Sequence, residues 1–92
     1  MSEPLTRREE RVLYGLITEV SLRAWVLRQT DSHTARCTYD GAVNAALAGI
    51  GPLLGVTIPH STFHSTVLDF SLGNNVPTIV DLTYRWLVGG AK

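Results

Sequence analysis

The chain predicts an α+β domain in which a long amino-terminal helix and a second helix of small residues cover a short antiparallel sheet ending in a β-hairpin. Three observations predict it. Apolar residues from Leu13 to Leu27 recur at three- and four-residue steps, the period of a helix that buries one stripe. Val80, Leu82, Tyr84, Trp86 and Val88 alternate with Asp81, Thr83, Arg85 and Leu87, the period of a strand. Just upstream, Leu68, Phe70 and Leu72 alternate with Asp69 and Ser71, and Gly73-Asn74-Asn75 between the two runs tolerates positive φ.

The first helix opens with Thr6-x-x-Glu9, a capping box in which hydroxyl and carboxylate each take a free backbone amide. Leu13, Leu16, Ile17, Val20, Ala24 and Leu27 form its buried stripe. Glu19 and Arg23 stand four apart in the favourable order, and Arg7, Arg8 and Arg11 lie on the solvent side of the first turns. The helix ends near Thr30. About 24 residues span roughly 36 Å, whereas a chain of this length has a radius of gyration near 12 Å, so the helix crosses the whole domain or protrudes from it. Leu22, Trp25 and Val26 lie off the main stripe, and a second helix, from this chain or another, must cover them.

From His33 to Tyr39 the pattern alternates again, Ala35, Cys37 and Tyr39 against Thr34, Arg36 and Thr38, which predicts a short strand. Asp40 then caps a helix of small residues from Gly41 to Ile50, and Gly51-Pro52 breaks or kinks it. In the hairpin, a three-residue loop sets Leu72 opposite Val76, Phe70 opposite Thr78, Leu68 opposite Val80 and Thr66 opposite Leu82, keeping the large apolar residues on one face. The rival arrangement makes Val76 to Val88 a helix begun near Asn75 and Pro77. Val80, Tyr84, Leu87 and Val88 then point inward, Asp81 pairs with Arg85, and the chain becomes an all-α four-helix arrangement.

With 92 residues the chain is expected to be one domain, 1–92, near the size at which a partner or a second copy aids stability. Eight basic and eight acidic residues cancel, which argues against general nucleic-acid binding. One cysteine forms no internal disulfide, and the amino terminus lacks an apolar run, so the expected location is intracellular, in the cytoplasm. Six of the eight basic residues lie between Arg7 and Arg36, whereas Gly41 to Leu68 holds no Asp, Glu, Lys or Arg. That stretch is core, interface or membrane. Gly41 to Ile58 approaches the length of a bilayer span and contains Gly51-x-x-x-Gly55, but Asn44, Pro52 and the missing basic flanks oppose insertion.

All three histidines and the single cysteine fall into two pairs spaced by four, His33 with Cys37 and His60 with His64. Together they make the donor set of a structural zinc site, provided that both pairs are helical. In a strand the same spacing separates the side chains by about 13 Å. The simpler account makes Cys37 a small buried side chain, lets His33 cap or solvate a loop, and leaves His60 and His64 as surface or cross-strand residues, with no cofactor. His33-x-x-x-Cys37-x-x-Asp40 resembles the His-x-x-x-Cys-x-x-Cys motif of zinc-dependent anti-sigma factors, but Asp40 stands where the second cysteine belongs, and that family's properties are not carried over.

Leu54-Gly-Val-Thr57 followed by Ser61-Thr-Phe63 resembles the turn and recognition-helix start of helix-turn-helix proteins. A preceding helix and a following hairpin then imply a winged-helix DNA-binding regulator, with Arg7, Arg8 and Arg11 on the backbone. Yet His60 to Leu72 contains no Arg or Lys, which phosphate and guanine recognition need. Ser61, Ser65, His60, His64 and Asp69 are close in sequence, but no phosphate loop, cofactor fingerprint or metal-binding carboxylate pair accompanies them. The expected function is therefore a non-enzymatic protein-protein interaction or regulatory module, a homodimer or a subunit. Its interface is expected at Leu22, Trp25 and Val26, with Tyr84 and Trp86 as secondary candidates.

Overall fold

The computed structural model describes residues 5–89, and they form four helices: α1 Arg7–Thr30, α2 His33–Leu54, α3 His60–Ser71 and α4 Val76–Val88. No strand occurs among the described residues, which corrects the α+β expectation in favour of an all-helical bundle. The helix α1 forms as its pattern requires. Thr6 Oγ1 accepts from the Glu9 amide at 3.1 Å, and a Glu9 carboxylate oxygen accepts from the Thr6 amide at 2.9 Å, closing the capping box. Leu13, Ile17, Val20, Ala24 and Leu27 are buried, with Leu16 half-buried beside them. The bundle measures 40 × 22 × 21 Å with a radius of gyration of 12.5 Å, so a helix of about 36 Å crosses almost its full length.

The expected strand from His33 to Tyr39 is the start of α2 instead. Ser32 is its N-cap, its hydroxyl accepting from the Ala35 amide at 3.1 Å. The chain reverses on Asp31, which takes the left-handed conformation (φ 45°) and donates its amide to the Leu27 carbonyl at 2.8 Å. Ala35 and Tyr39 then continue into Val43, Ala46 and Ile50 as one buried stripe at four- and three-residue steps. Five buried positions on a helical period outweigh three alternating ones on a strand period. Asp40 is accordingly an exposed mid-helix residue, not a cap. Pro52 does not end the helix at Ile50 either; it sits one turn before the end, which comes at Gly55 in the left-handed region (φ 66°). The two long helices touch closely. A Cβ on Gly49 would stand 2.6 Å from Leu16 Cδ1.

The β-hairpin and its register are also overturned. Leu68, Phe70 and Leu72 belong to α3 and its end, where Phe63, Val67 and Ser71 are buried four apart. Gly73 does take positive φ (74°), but the turn it makes joins two helices. The run from Val76 to Val88 is the rival helix. Asn75 caps it by accepting from the Thr78 amide at 3.1 Å, Pro77 lies in its first turn, and Asp81 pairs with Arg85 at 3.1 Å. Its buried residues are Ile79, Thr83 and Leu87, whereas Val80 and Tyr84 are half-buried and Val88 is exposed. The alternation arose because α4 is apolar around most of its circumference, and such a helix contains a period-two pattern by accident.

In the assembled bundle, α1 packs against all three other helices. The helix α3 runs back toward the α1–α2 turn: His64 meets Tyr39 and Asp40, and Leu68 and Ser71 meet Arg28. From there α4 returns along α1 until Tyr84 stacks on Tyr14, with ring centroids 4.6 Å apart.

Candidate functional site

Both ligand pairs proposed for zinc are helical, as their spacing demands, but they belong to different helices. His33 Nε2 lies 3.5 Å from Cys37 Sγ in the first turns of α2. His60 and His64 lie on α3 with ring centroids 5.9 Å apart. His64 is engaged elsewhere, its Nε2 3.2 Å from Asp40 Oδ1 and its ring edge-on to Tyr39. Among the described residues no group of three or more His, Cys, Asp or Glu side chains stands close enough to hold a metal ion. Cys37 is exposed, not buried.

Leu22, Trp25 and Val26 face outward from α1 across about 100° of its circumference. Leu22 at the centre is 37% exposed, while Trp25 and Val26 on its flanks are partly buried against the core. Tyr84 and Trp86 make contacts within the chain. Tyr84 stacks on Tyr14 and donates to Glu10 Oε2 at 3.4 Å. Trp86 sits in the α3–α4 seam, with Phe63 and Phe70 centroids at 5.9 and 6.3 Å. Arg7, Arg8 and Arg11 are exposed, and none has a carboxylate partner within 4 Å among the described residues. The hairpin that would serve as a wing is the end of α3, the turn after it and the helix α4.

A different surface emerges on α2. Gly41, Asn44, Ala45, Ala48 and Pro52 are all exposed and fall within about 100° of one another on the side away from the core. Cys37 extends this stripe toward the amino end. The outward face of a surface helix is ordinarily charged; this one carries no charge from Gly41 to its end. Pro52 has no N–H to offer the Ala48 carbonyl, which leaves an acceptor on the same face. Alongside lies an apolar groove of about 450 Å³ lined by Leu47, Gly51, Pro52, Gly55, Val56, Thr57 and Ile58. The sequence signalled this face through its uncharged middle, but the expected break at Gly51-Pro52 hid how α2 and the groove adjoin.

The polar residues collect at the opposite end of α2. A cleft of about 520 Å³ opens where the α1–α2 turn meets α3, lined by Leu27, Arg28, Asp31, Arg36, Asp40, His64 and Leu68. Tyr39 lies beneath it, fully buried, its hydroxyl donating to the His64 carbonyl at 2.7 Å. Burial pushes the Tyr39 phenol well above its usual range, the Asp40 charge adds to the rise, and Arg28 opposes it. None of this cleft was expected, because it requires Arg36 and Asp40 on a helix, whereas the local alternation read as a strand.

No helix among the described residues is long and apolar enough to cross a membrane. Comparisons of the chain with protein-family models, curated proteins and solved structures found no match.

Proposed function

We propose that this chain is a non-enzymatic protein-interaction module of the cytoplasm that associates with a second copy of itself through the outward face of α2. The observation that carries the reading is the uncharged exposed surface of Gly41, Asn44, Ala45, Ala48 and Pro52 beside an apolar groove. Small side chains let two helices approach closely, and a groove next to them accepts the larger residues of the mate, as Leu16 of α1 already does over Gly49. A two-fold axis makes one such face sufficient, because the same patch serves both copies. Leu22 supplies less, since its apolar neighbours Trp25 and Val26 are already half covered.

Sedimentation equilibrium of the full chain tests this directly. Wild type should dimerise at micromolar concentration, and Ala48→Arg should weaken the dimer by at least about 100-fold, since burying an unpaired charge at an interface is costly. Because Ala48 is exposed, monomer stability should stay within about 0.5 kcal/mol. A wild-type monomer at about 100 μM, or a dimer indifferent to Ala48→Arg, would overturn the proposal.

A further inference from the structure

The cleft at the α1–α2 turn holds two guanidinium groups over an apolar floor of Leu27 and Leu68. Their partners differ. Arg36 directs Nε and Nη2 to one carboxylate oxygen, Asp31 Oδ1, at 3.1 and 2.8 Å, and the second carboxylate, Asp40, is met by His64 at 3.2 Å. Arg28 instead donates Nε to Ser71 Oγ at 3.0 Å and Nη2 to the Leu68 carbonyl at 2.7 Å, two neutral acceptors. Ser71 is only 2% exposed and is itself fixed by donating to the same Leu68 carbonyl at 2.6 Å. Among the described residues Arg28 has no carboxylate within 4 Å.

A guanidinium carries five N–H donors, and the bonds to α3 occupy one side of this one. The Nη1 group and the remaining Nη2 hydrogen lie together on the free edge, the arrangement that grips a carboxylate with two parallel bonds. We propose that the cleft binds a small organic monocarboxylate, its charged group on the free edge of Arg28 and its apolar part over Leu27 and Leu68. The charge count selects a monoanion. A phosphate group, at about −1.5 to −2, would face Asp31 and Asp40 with one unpaired cation to offset it. Arg28 is exposed, so water competes and the expected Kd is on the order of millimolar.

The test is an amide-resolved NMR titration of the full chain with acetate, butyrate and hexanoate at constant ionic strength, with hexanol and inorganic phosphate as controls. Saturable shifts confined to the amides around Arg28, Asp31, Arg36, His64 and Leu68, with affinity rising from acetate to hexanoate, are expected. Arg28→Gln should weaken hexanoate binding at least about tenfold, and Arg28→Lys should recover part of it, since a lysine keeps the charge without the fork. No saturation below about 50 mM hexanoate, equal shifts with hexanol, tighter binding of phosphate, or Arg28→Gln binding as wild type would each overturn the proposal. The wild-type series decides by itself if a variant fails to fold. Its outcome is independent of the dimer proposed above, which uses the other end of α2.

Discussion

The helices α1 and α2 lie side by side and bury matching stripes, yet their outward faces are made of different chemistry. Each presents five fully or nearly buried residues inward, Leu13, Ile17, Val20, Ala24 and Leu27 on one and Ala35, Tyr39, Val43, Ala46 and Ile50 on the other. Outward, α1 carries Arg8, Arg11, Glu19 and Arg23, and the last two pair at 2.8 Å. The outward side of α2 after Asp40 is Gly, Asn, Ala and Pro. Burial alone therefore does not explain the composition of α2. A face meant for water can hold charge at little cost, whereas a face meant for another protein cannot.

If the inward faces are equivalent, Ile17→Ala and Ile50→Ala should each destabilise the monomer by about 2–5 kcal/mol, the usual range for truncating a buried aliphatic side chain. Urea unfolding checks this, and a small loss at Ile50 alone would show that α2 packs more loosely than α1. On its other side α1 meets α4, and among the described residues the buried hydroxyls of Ser21 on the one and Thr83 on the other have no hydrogen-bond partner. Thr83→Val keeps the shape and removes an unpaired group, so it should stabilise the fold by about 1 kcal/mol. A loss measured by the same method would mean that the hydroxyl is satisfied.

The α2 stripe contains one large polar anchor. Removing its hydroxyl, Tyr39→Phe should cost about 1 kcal/mol at neutral pH through the lost bond to the His64 carbonyl. The phenol titrates higher in the folded than in the unfolded chain, where its value is near 10.0. Its contribution is thus whole below that pH and drains away as pH rises through the folded value. Stability measured against pH should fall above about pH 10 in wild type and less steeply in Tyr39→Phe. The smallest effect is expected outside. Glu19→Ala should cost only about 0.3–0.5 kcal/mol, vanishing in high salt, and leave self-association untouched, in contrast to Ala48→Arg on α2.

Local signals were enough for both ends of α1 and for its strongly one-sided face. The capping box at Thr6 and Glu9, the stripe of α1, its end near Thr30 and the Glu19–Arg23 pair are all present. Around α4 the residues allowed two periods, because an apolar arc wide enough to face both α1 and α3 satisfies a strand pattern as well. The helix signals at Asn75, Pro77 and Asp81–Arg85 were legible there, and the β-branched residues of Thr78 to Val80 outweighed them only in intrinsic preference, which packing overrides. At α2 the Ser32 cap was legible in principle, but the short alternation to Tyr39 concealed it.

Residue order by itself determined where chemistry is absent and which neighbours pair within a turn: the uncharged middle, the four-residue spacing of His33 with Cys37 and of His60 with His64, and the capping box of Thr6 with Glu9. Those are short-range properties, set by backbone geometry over one or two turns. Only the tertiary structure decided which pairs meet. It separated the two candidate ligand pairs onto different helices and joined His64 to Asp40. It also tied Arg28 to the end of α3, forty or more positions away in sequence, and turned the small residues of α2 outward. The physical reason is that these contacts depend on how helices α1, α2 and α3 are oriented once their apolar stripes are buried together, and that orientation is a property of the whole core.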